Sequence, residues 1–201
     1  MSKKKYSIDS RIDYSLILPV FFLLLVGLVA IYIATLNDYP NSVGTVMFQQ
    51  VSWIVLGCVI AFIVMLFSAE FLWKITPFLY ILGIGLMVLP LMFYSPELVA
   101  ATGAKNWVTI GSVTLFQPSE FMKISYILML AWSSIWFRQK NPVDSLKNDW
   151  KLLGILAIVT IPVMLLLGLQ KDLGTALVFA AILAGAILLS GISLWIILPV
   201  V

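Results

Sequence analysis

Long apolar runs separated by short polar segments make up most of this chain. A hydrocarbon core about 30 Å thick takes roughly 20 residues of α-helix at 1.5 Å per residue. Six runs have about that length: Ser15 to Leu36, Phe48 to Phe67, Ile75 to Phe93, Phe121 to Phe137, Leu152 to Leu169 and Leu173 to Ser190. A seventh opens at Leu194 and reaches Val201 after eight residues, too few to cross a bilayer. The pattern predicts an all-α polytopic membrane protein with six complete transmembrane helices and the start of a seventh, and the chain reads as a fragment of a larger bundle. One transmembrane domain is expected over residues 1–201, with a polar tail at 1–14 and polar loops at 94–118 and 138–151.

The polar punctuation predicts finer features. Trp107-Val108-Thr109-Ile110 and Val113-Thr114-Leu115-Phe116 are short β-prone runs around Gly111-Ser112, which suits a small type II′ hairpin at the membrane interface. Pro118 fits the first turn of a helix, where its missing N–H costs nothing, and Glu120 in that turn complements the positive end of the helix dipole. Lys123 follows three residues later on the same face. Gln170-Lys171-Asp172 is a turn tight enough to make the fifth and sixth runs antiparallel neighbours, and Asp172 is placed to accept a free N–H of the sixth. Gly174 and Ala176 are small enough to permit close helix packing. Pro90 and Pro162 each fall within a span and are expected to kink it.

Composition supports the membrane reading, since 62% of the residues are hydrophobic and only 10% charged. Lys3, Lys4, Lys5, Arg11, Lys74, Arg138, Lys140, Lys147 and Lys151 fall on one side of the spans. The opposite side holds Lys105, Lys171 and, at a helix mouth, Lys123. Lys and Arg are retained in short cytoplasmic loops, so the N-terminus and the 138–151 loop are expected inside, and the 94–118 loop and Lys171 turn outside. This topology, with attraction to anionic headgroups, accounts for the net charge of +3 without a nucleic-acid partner. The first run exceeds a signal-peptide core and lacks a small-residue cleavage site, as expected of an uncleaved anchor. Arg138 to Lys151 reads as a solvated loop.

The available chemistry is narrow. Histidine is absent and the single Cys58 lies mid-span, which excludes, within this chain, a histidine base, a His-ligated zinc, a Ser-His-Asp triad and an internal disulfide. No Walker A or Rossmann glycine pattern is present. Acid–base work must fall to carboxylates, lysines or tyrosines. An ammonium a turn inside an apolar span costs a few kcal/mol unless it meets a partner or a wet cavity, so Glu120 and Lys123 are expected to form a cavity-facing pair. Trp107 reads either as an interfacial anchor or, beside Lys105 and Asn106, as a flat wall for a sugar-phosphate. Asp172 reads as a helix cap, or as part of the charge that Lys171, Lys105 and Glu120 gather on the same face.

Together, Gly103-Ala104-Lys105-Asn106-Trp107, Phe116-Gln117-Pro118-Ser119-Glu120-Phe121-Met122-Lys123 and Gln170-Lys171-Asp172-Leu173-Gly174-Thr175-Ala176 resemble the SEDS family of bacterial shape, elongation, division and sporulation proteins. The resemblance is strongest to the RodA branch, with the FtsW branch next, and covers the chain from the first span onward. It implies a ten-helix fold of which this is the N-terminal part, in the bacterial plasma membrane. It further implies an enzyme that polymerises lipid II, an undecaprenyl-pyrophosphate-linked disaccharide-peptide, into glycan strands during cell-wall elongation and shape maintenance. The implied partners are a class B penicillin-binding protein and other membrane proteins of the elongation machinery. The family's general-base aspartate is expected beyond Val201, so no catalytic residue is assigned here.

By the same resemblance, Lys123, Glu120, Lys105, Trp107, Gln117 and Asn106 are substrate-side candidates, and Asp172, Lys171, Gly174, Pro118 and Ser119 organise the adjoining turns. No cofactor is evident; the resemblance allows a divalent cation beside the departing pyrophosphate. Asn106 stands where many relatives carry Arg, which removes a guanidinium. Lys171 stands where the family usually has Pro, and is expected to loosen the turn while supplying a cation. A lipid II transporter (flippase) and a non-catalytic scaffold of the elongation machinery are the other roles open to such a chain, although no internal repeat of the transporter kind is found.

Overall fold

The computed structural model describes residues 14–38, 40–111, 113–141 and 146–193. The basic N-terminal cluster and the seventh run at Leu194–Val201 lie outside them. The chain forms two compact units, the first ending at Ser68 and the second beginning at Ala69.

The first unit is a helical hairpin: α1 (Tyr14–Asp38), a single 3-10 turn (Pro40–Ser42) and α2 (Val43–Leu66). Two of its hydroxyls turn back onto their own helix. Thr35 donates to the Ile31 carbonyl at 2.7 Å and Ser52 to the Phe48 carbonyl at 2.8 Å. The large apolar side chains around both helices are exposed, a surface suited to hydrocarbon rather than water.

The second unit holds α3 (Ala69–Met92), α5 (Pro118–Arg138), α6 (Leu146–Gln170) and α7 (Leu173–Leu189). The short α4 (Pro96–Thr102) and an antiparallel hairpin, β1 (Val108–Ile110) and β2 (Val113–Phe116), lie between α3 and α5. All six expected spans are therefore helical, and the chain is an all-α multi-pass membrane protein. Four segments, Tyr14–Asp38, Pro40–Leu66, Ala69–Met92 and Leu146–Gln170, are long and apolar enough to cross on those criteria alone. α7 is shorter, at 17 residues. α5, at 21 residues, spans about 31 Å; its lower hydropathy comes partly from Ser119, Ser125, Ser133 and Ser134, all of which face the protein interior.

α6 is the central element. Leu152, Leu156, Val159, Val163 and Leu167 recur at three- and four-residue steps and are all buried. Against them α5 presents Met122, Tyr126, Leu130 and Phe137, and α7 presents Phe179, whose ring centroid lies 5.2 Å from that of Tyr126. Tyr126 and Thr160 hydroxyls meet at 2.7 Å. Thr160 gives its own proton to the Leu156 carbonyl at 2.7 Å, so Tyr126 is the donor across the helices. Gly83 permits the approach of α3 to α5: a Cβ there would stand 2.5 Å from Met122 Sδ and 3.7 Å from Met122 Cα.

Both expected proline sites lie inside helices, Pro90 in α3 and Pro162 in α6. A proline leaves the carbonyl four residues earlier unpaired, which disturbs that turn. In each helix the next carbonyl along receives a bond from the other helix. Gln170 of α6 donates Nε2–H to the Met87 carbonyl at 2.6 Å, and Tyr80 of α3 donates its hydroxyl to the Val159 carbonyl at 2.5 Å. The exchange is reciprocal.

At the far end of the unit the solvated-loop reading of 138–151 needs correction. α6 begins at Leu146, inside that stretch. Arg138 Nη2 donates to Asp149 Oδ1 at 2.6 Å, and Asp149 is 1% exposed. Arg138 also donates to the Ser190 and Gly191 carbonyls, both at 3.1 Å, while Asp149 Oδ2 accepts the Ser193 N–H at 3.0 Å. The ion pair thus ties the end of α5 to the start of α6 and caps the C-terminus of α7.

Candidate functional site

The sequence motifs converge where α3 and α6 end and α5 and α7 begin. Three short elements shape the approach. Ser95 caps α4 by accepting the Leu98 N–H at 3.4 Å, and Gly103 closes α4 at φ +76°, a conformation that lacks a Cβ penalty only in glycine. The hairpin follows, with Ile110 paired to Val113 and Gly111 at φ +62°. That positive φ is what the first position of a primed two-residue turn requires; the type II′ assignment itself rests on Ser112, outside the described residues. The register shifts between Val108 and Thr109, and Thr109 N–H bonds the Phe93 carbonyl at 3.0 Å, which fastens the hairpin to the end of α3.

The α6–α7 turn is closed by its own backbone. Lys171 adopts φ +58°. Asp172 N–H reaches the Leu167 carbonyl at 3.0 Å and Lys171 N–H the Gly168 carbonyl at 3.1 Å, the two bonds of a Schellman motif with Lys171 in the left-handed position. Asp172 then begins α7. Its Oδ1 accepts the Thr175 N–H at 3.0 Å, and its Oδ2 accepts both the Thr175 hydroxyl and Asn106 Nδ2, each at 2.8 Å. Asn106 is thereby assigned its orientation, because the flipped amide would set oxygen against carboxylate. One residue earlier, Lys105 N–H bonds the Gln170 carbonyl at 2.8 Å. The Gly103–Trp107 segment and the Gln170–Ala176 turn are therefore clasped by a backbone and a side-chain bond.

Burial pushes the Asp172 carboxyl upward, but the Thr175 N–H, the Asn106 amide and the Thr175 hydroxyl outweigh it. With the Lys123 charge adding to them, they hold the group below its ordinary value. With both oxygens occupied and ionisation favoured, Asp172 is fitted to organise the turn.

The other candidates diverge from this clasp. Lys123 Nζ pairs with Glu120 Oε1 at 2.8 Å; the side chains are 27% and 61% exposed. The ion pair itself is formed, at the mouth of α5, with its carboxylate largely exposed. Gln117 stands at the N-cap of α5 with no side-chain cap bond, and Pro118 occupies the first turn. Lys105 holds its ammonium 4.2 Å over the Tyr94 ring, while Trp107 is 39% exposed. Close packing at Gly174 is not found: an added Cβ would meet only Asp172 Oδ1, at 3.9 Å. Among the described residues the tight glycine is Gly83.

Two polar atoms here are buried without a partner, Asn106 Oδ1 and Ser119 Oγ. Gln170, bonded to the Met87 carbonyl, and Tyr94, beneath the Lys105 ammonium, adjoin these residues, and sequence reasoning assigned a role to neither side chain. A glutamine closing an apolar span was the available signal for the first; nothing local marked the second. No group of three His, Cys, Asp or Glu able to hold a metal occurs among the described residues.

A model of the FtsW/RodA/SpoVE family, described as a cell cycle protein, matches residues 14–201. The chain is 31% identical over 192 residues to a probable peptidoglycan glycosyltransferase FtsW of Nitrosomonas europaea, covering 93% of this chain and 47% of the relative. It is 30% identical over 192 residues to a peptidoglycan glycosyltransferase RodA of Treponema pallidum, covering 96% and 42%. A probable peptidoglycan glycosyltransferase FtsW of Bacillus subtilis is 28% identical over 187 residues, covering 90% and 44%. The chain thus spans about half the length of the curated relatives it matches. No solved structure shows significant similarity to it.

Proposed function

Because the chain belongs to the FtsW/RodA/SpoVE family of cell cycle proteins, we propose that it is the substrate-side part of a peptidoglycan glycosyltransferase that polymerises lipid II. In that reaction a sugar 4-hydroxyl oxygen bonds to the anomeric carbon of a second substrate, the bond from that carbon to the lipid pyrophosphate breaks, and the hydroxyl proton passes to a carboxylate. Cations are needed where charge develops on the leaving pyrophosphate.

The observation that carries the reading lies at one end of the second unit, at the start of α5 and α7: Asn106 bonds Asp172, and Lys123, paired with Glu120, is near enough for its charge to act on the same carboxylate. Lys123 is the pyrophosphate contact. Its bond to a largely exposed carboxylate is worth little in water, so an incoming dianion displaces Glu120 at small cost and Glu120 returns the ammonium to position afterwards. Lys105, released from Tyr94, is the second cation. Gln117, Asn106 and Trp107 border the sugar, and Asp172 with Lys171, Gly174, Pro118 and Ser119 fixes the surrounding turns.

In this reading the N-terminus and the 138–151 segment lie in the cytoplasm of a bacterium, the 94–118 segment outside the plasma membrane. A class B penicillin-binding protein and other elongation-machinery proteins are the partners.

The test is lipid II polymerisation by the protein extended to the length of its relatives, with its penicillin-binding partner. Lys123→Met is expected to lower kcat about 10²–10³-fold, the range lost with one charge-stabilising group, with helicity and melting unchanged. Normal polymerisation by Lys123→Met removes the cation role. Lipid scrambling without any polymerisation by the extended protein overturns the enzyme reading in favour of transport, and neither activity points to a scaffold.

A further inference from the structure

At the end of the second unit opposite the Asp172 clasp, α3 begins and α5 finishes with three tryptophans in contact. Trp73 and Trp132 have ring centroids 6.5 Å apart, and Trp132 lies parallel to Trp136 at 6.1 Å with 4° between planes. Lys140 holds its ammonium 4.6 Å over the Trp136 ring. Trp73 is 37% and Trp136 44% exposed. Beside them is a recess of about 380 Å³ lined by Ala69, Glu70, Trp73 and Lys74.

We propose that this aromatic ledge binds the headgroup of a membrane phospholipid of net charge −1, of the phosphatidylglycerol kind, in the leaflet at that end of the unit. Three features lead to that occupant. The indoles come from the first turns of α3 and the last turns of α5, the level at which an amphipathic ring meets headgroups and the ends of acyl chains. Lys74 and Lys140 flank the ledge and Glu70 stands a turn before Lys74, so these side chains sum to +1 and complement a single phosphodiester. Glu70 can accept a hydrogen bond from a headgroup hydroxyl while the lysines take the phosphate, which favours a glycerol headgroup over one bearing a second anion. Lys140 is held at ring height by the indole, so its charge is presented to the lipid phosphate rather than to bulk water. Simple interfacial anchoring, in contrast, predicts no preference among headgroups.

The test uses the protein reconstituted in phosphatidylcholine vesicles with equal fractions of acyl-brominated phosphatidylglycerol or acyl-brominated phosphatidylethanolamine, reading quenching of tryptophan fluorescence. Brominated phosphatidylglycerol is expected to quench at lower mole fraction, and each of Lys74→Gln and Lys140→Gln to weaken that apparent affinity about fivefold, the worth of one surface lysine. Lys147→Gln, which removes the same charge from the exposed first turn of α6, is expected to leave it unchanged. Lys74→Arg and Lys140→Arg, which keep the charge, are expected to retain the preference, so a fold defect in the glutamine variants would be recognised by circular dichroism and bypassed. Equal quenching by both lipids, or a preference that survives both glutamine substitutions or falls equally with Lys147→Gln, overturns the proposal and leaves a general interfacial belt.

Discussion

Lys171 carries the backbone strain of the α6–α7 turn. An L-residue at φ +58° costs about 1–2 kcal/mol, while glycine there would give back about 0.4–1 kcal/mol through its freer unfolded chain. Lys171→Gly is therefore expected to raise stability by about 0.5–1 kcal/mol, seen as a higher melting temperature in detergent. Lys171→Pro is expected to be strongly destabilising, because proline fixes φ near −65° and removes the N–H that bonds the Gly168 carbonyl. Equal melting of the two variants would contradict the Schellman geometry. Asp172 gives a pH signature at the same turn. Its folded-state pKa lies below the ordinary 3.8, so its contribution is complete above that value and is lost as pH falls through the lower, folded value. The melting advantage of the native protein over Asp172→Asn should hold at neutral pH and shrink only below about pH 4; an advantage that fades near neutrality would mean that the carboxyl is not ionised by its partners. The cap itself was legible in sequence, since an N-cap needs only the few residues after it. Asn106 was not, because its bond to Asp172 joins segments 66 residues apart.

At the scale of elements, the contact of α3 with α5 depends on the missing side chain at Gly83. Met122 is fully buried, so its sulfur has little room to yield. Gly83→Ala is expected to cost about 1–3 kcal/mol by overpacking, and Met122→Ala to relieve part of that cost, giving a double-mutant coupling above about 0.5 kcal/mol. Additive melting shifts would place the two residues apart. Element boundaries were readable where one signal dominated: the six spans from unbroken apolar length, and the hairpin from β-prone runs around Gly111. α4 went unread although Ser95-Pro96-Glu97 is a start signal, because seven residues leave too little periodicity to show. The Arg138–Asp149 pair was mistaken for solvated charge for a related reason. Charges in a linker look alike in sequence whether a helix ends before or after them, and here α6 reaches back far enough to bury Asp149.

For the whole molecule, the second unit has two chemically different ends, one built around the Asp172 clasp and one around the Arg138–Asp149 pair. In a Cys58→Ala background, Glu97→Cys on α4 is expected to react with a membrane-impermeant maleimide on intact cells, and Lys147→Cys on α6 only after permeabilisation. Reversed labelling would invert the topology. The reciprocal bonds between α3 and α6 bear on what such a molecule can do between those ends. Tilting or sliding either helix would break both bonds together and leave the Gln170 amide and the Tyr80 hydroxyl without acceptors, in a medium with no water to replace them, at about 1–3 kcal/mol for each. The two parallel helices therefore behave mechanically as one strut, each tilting or sliding only if the other does.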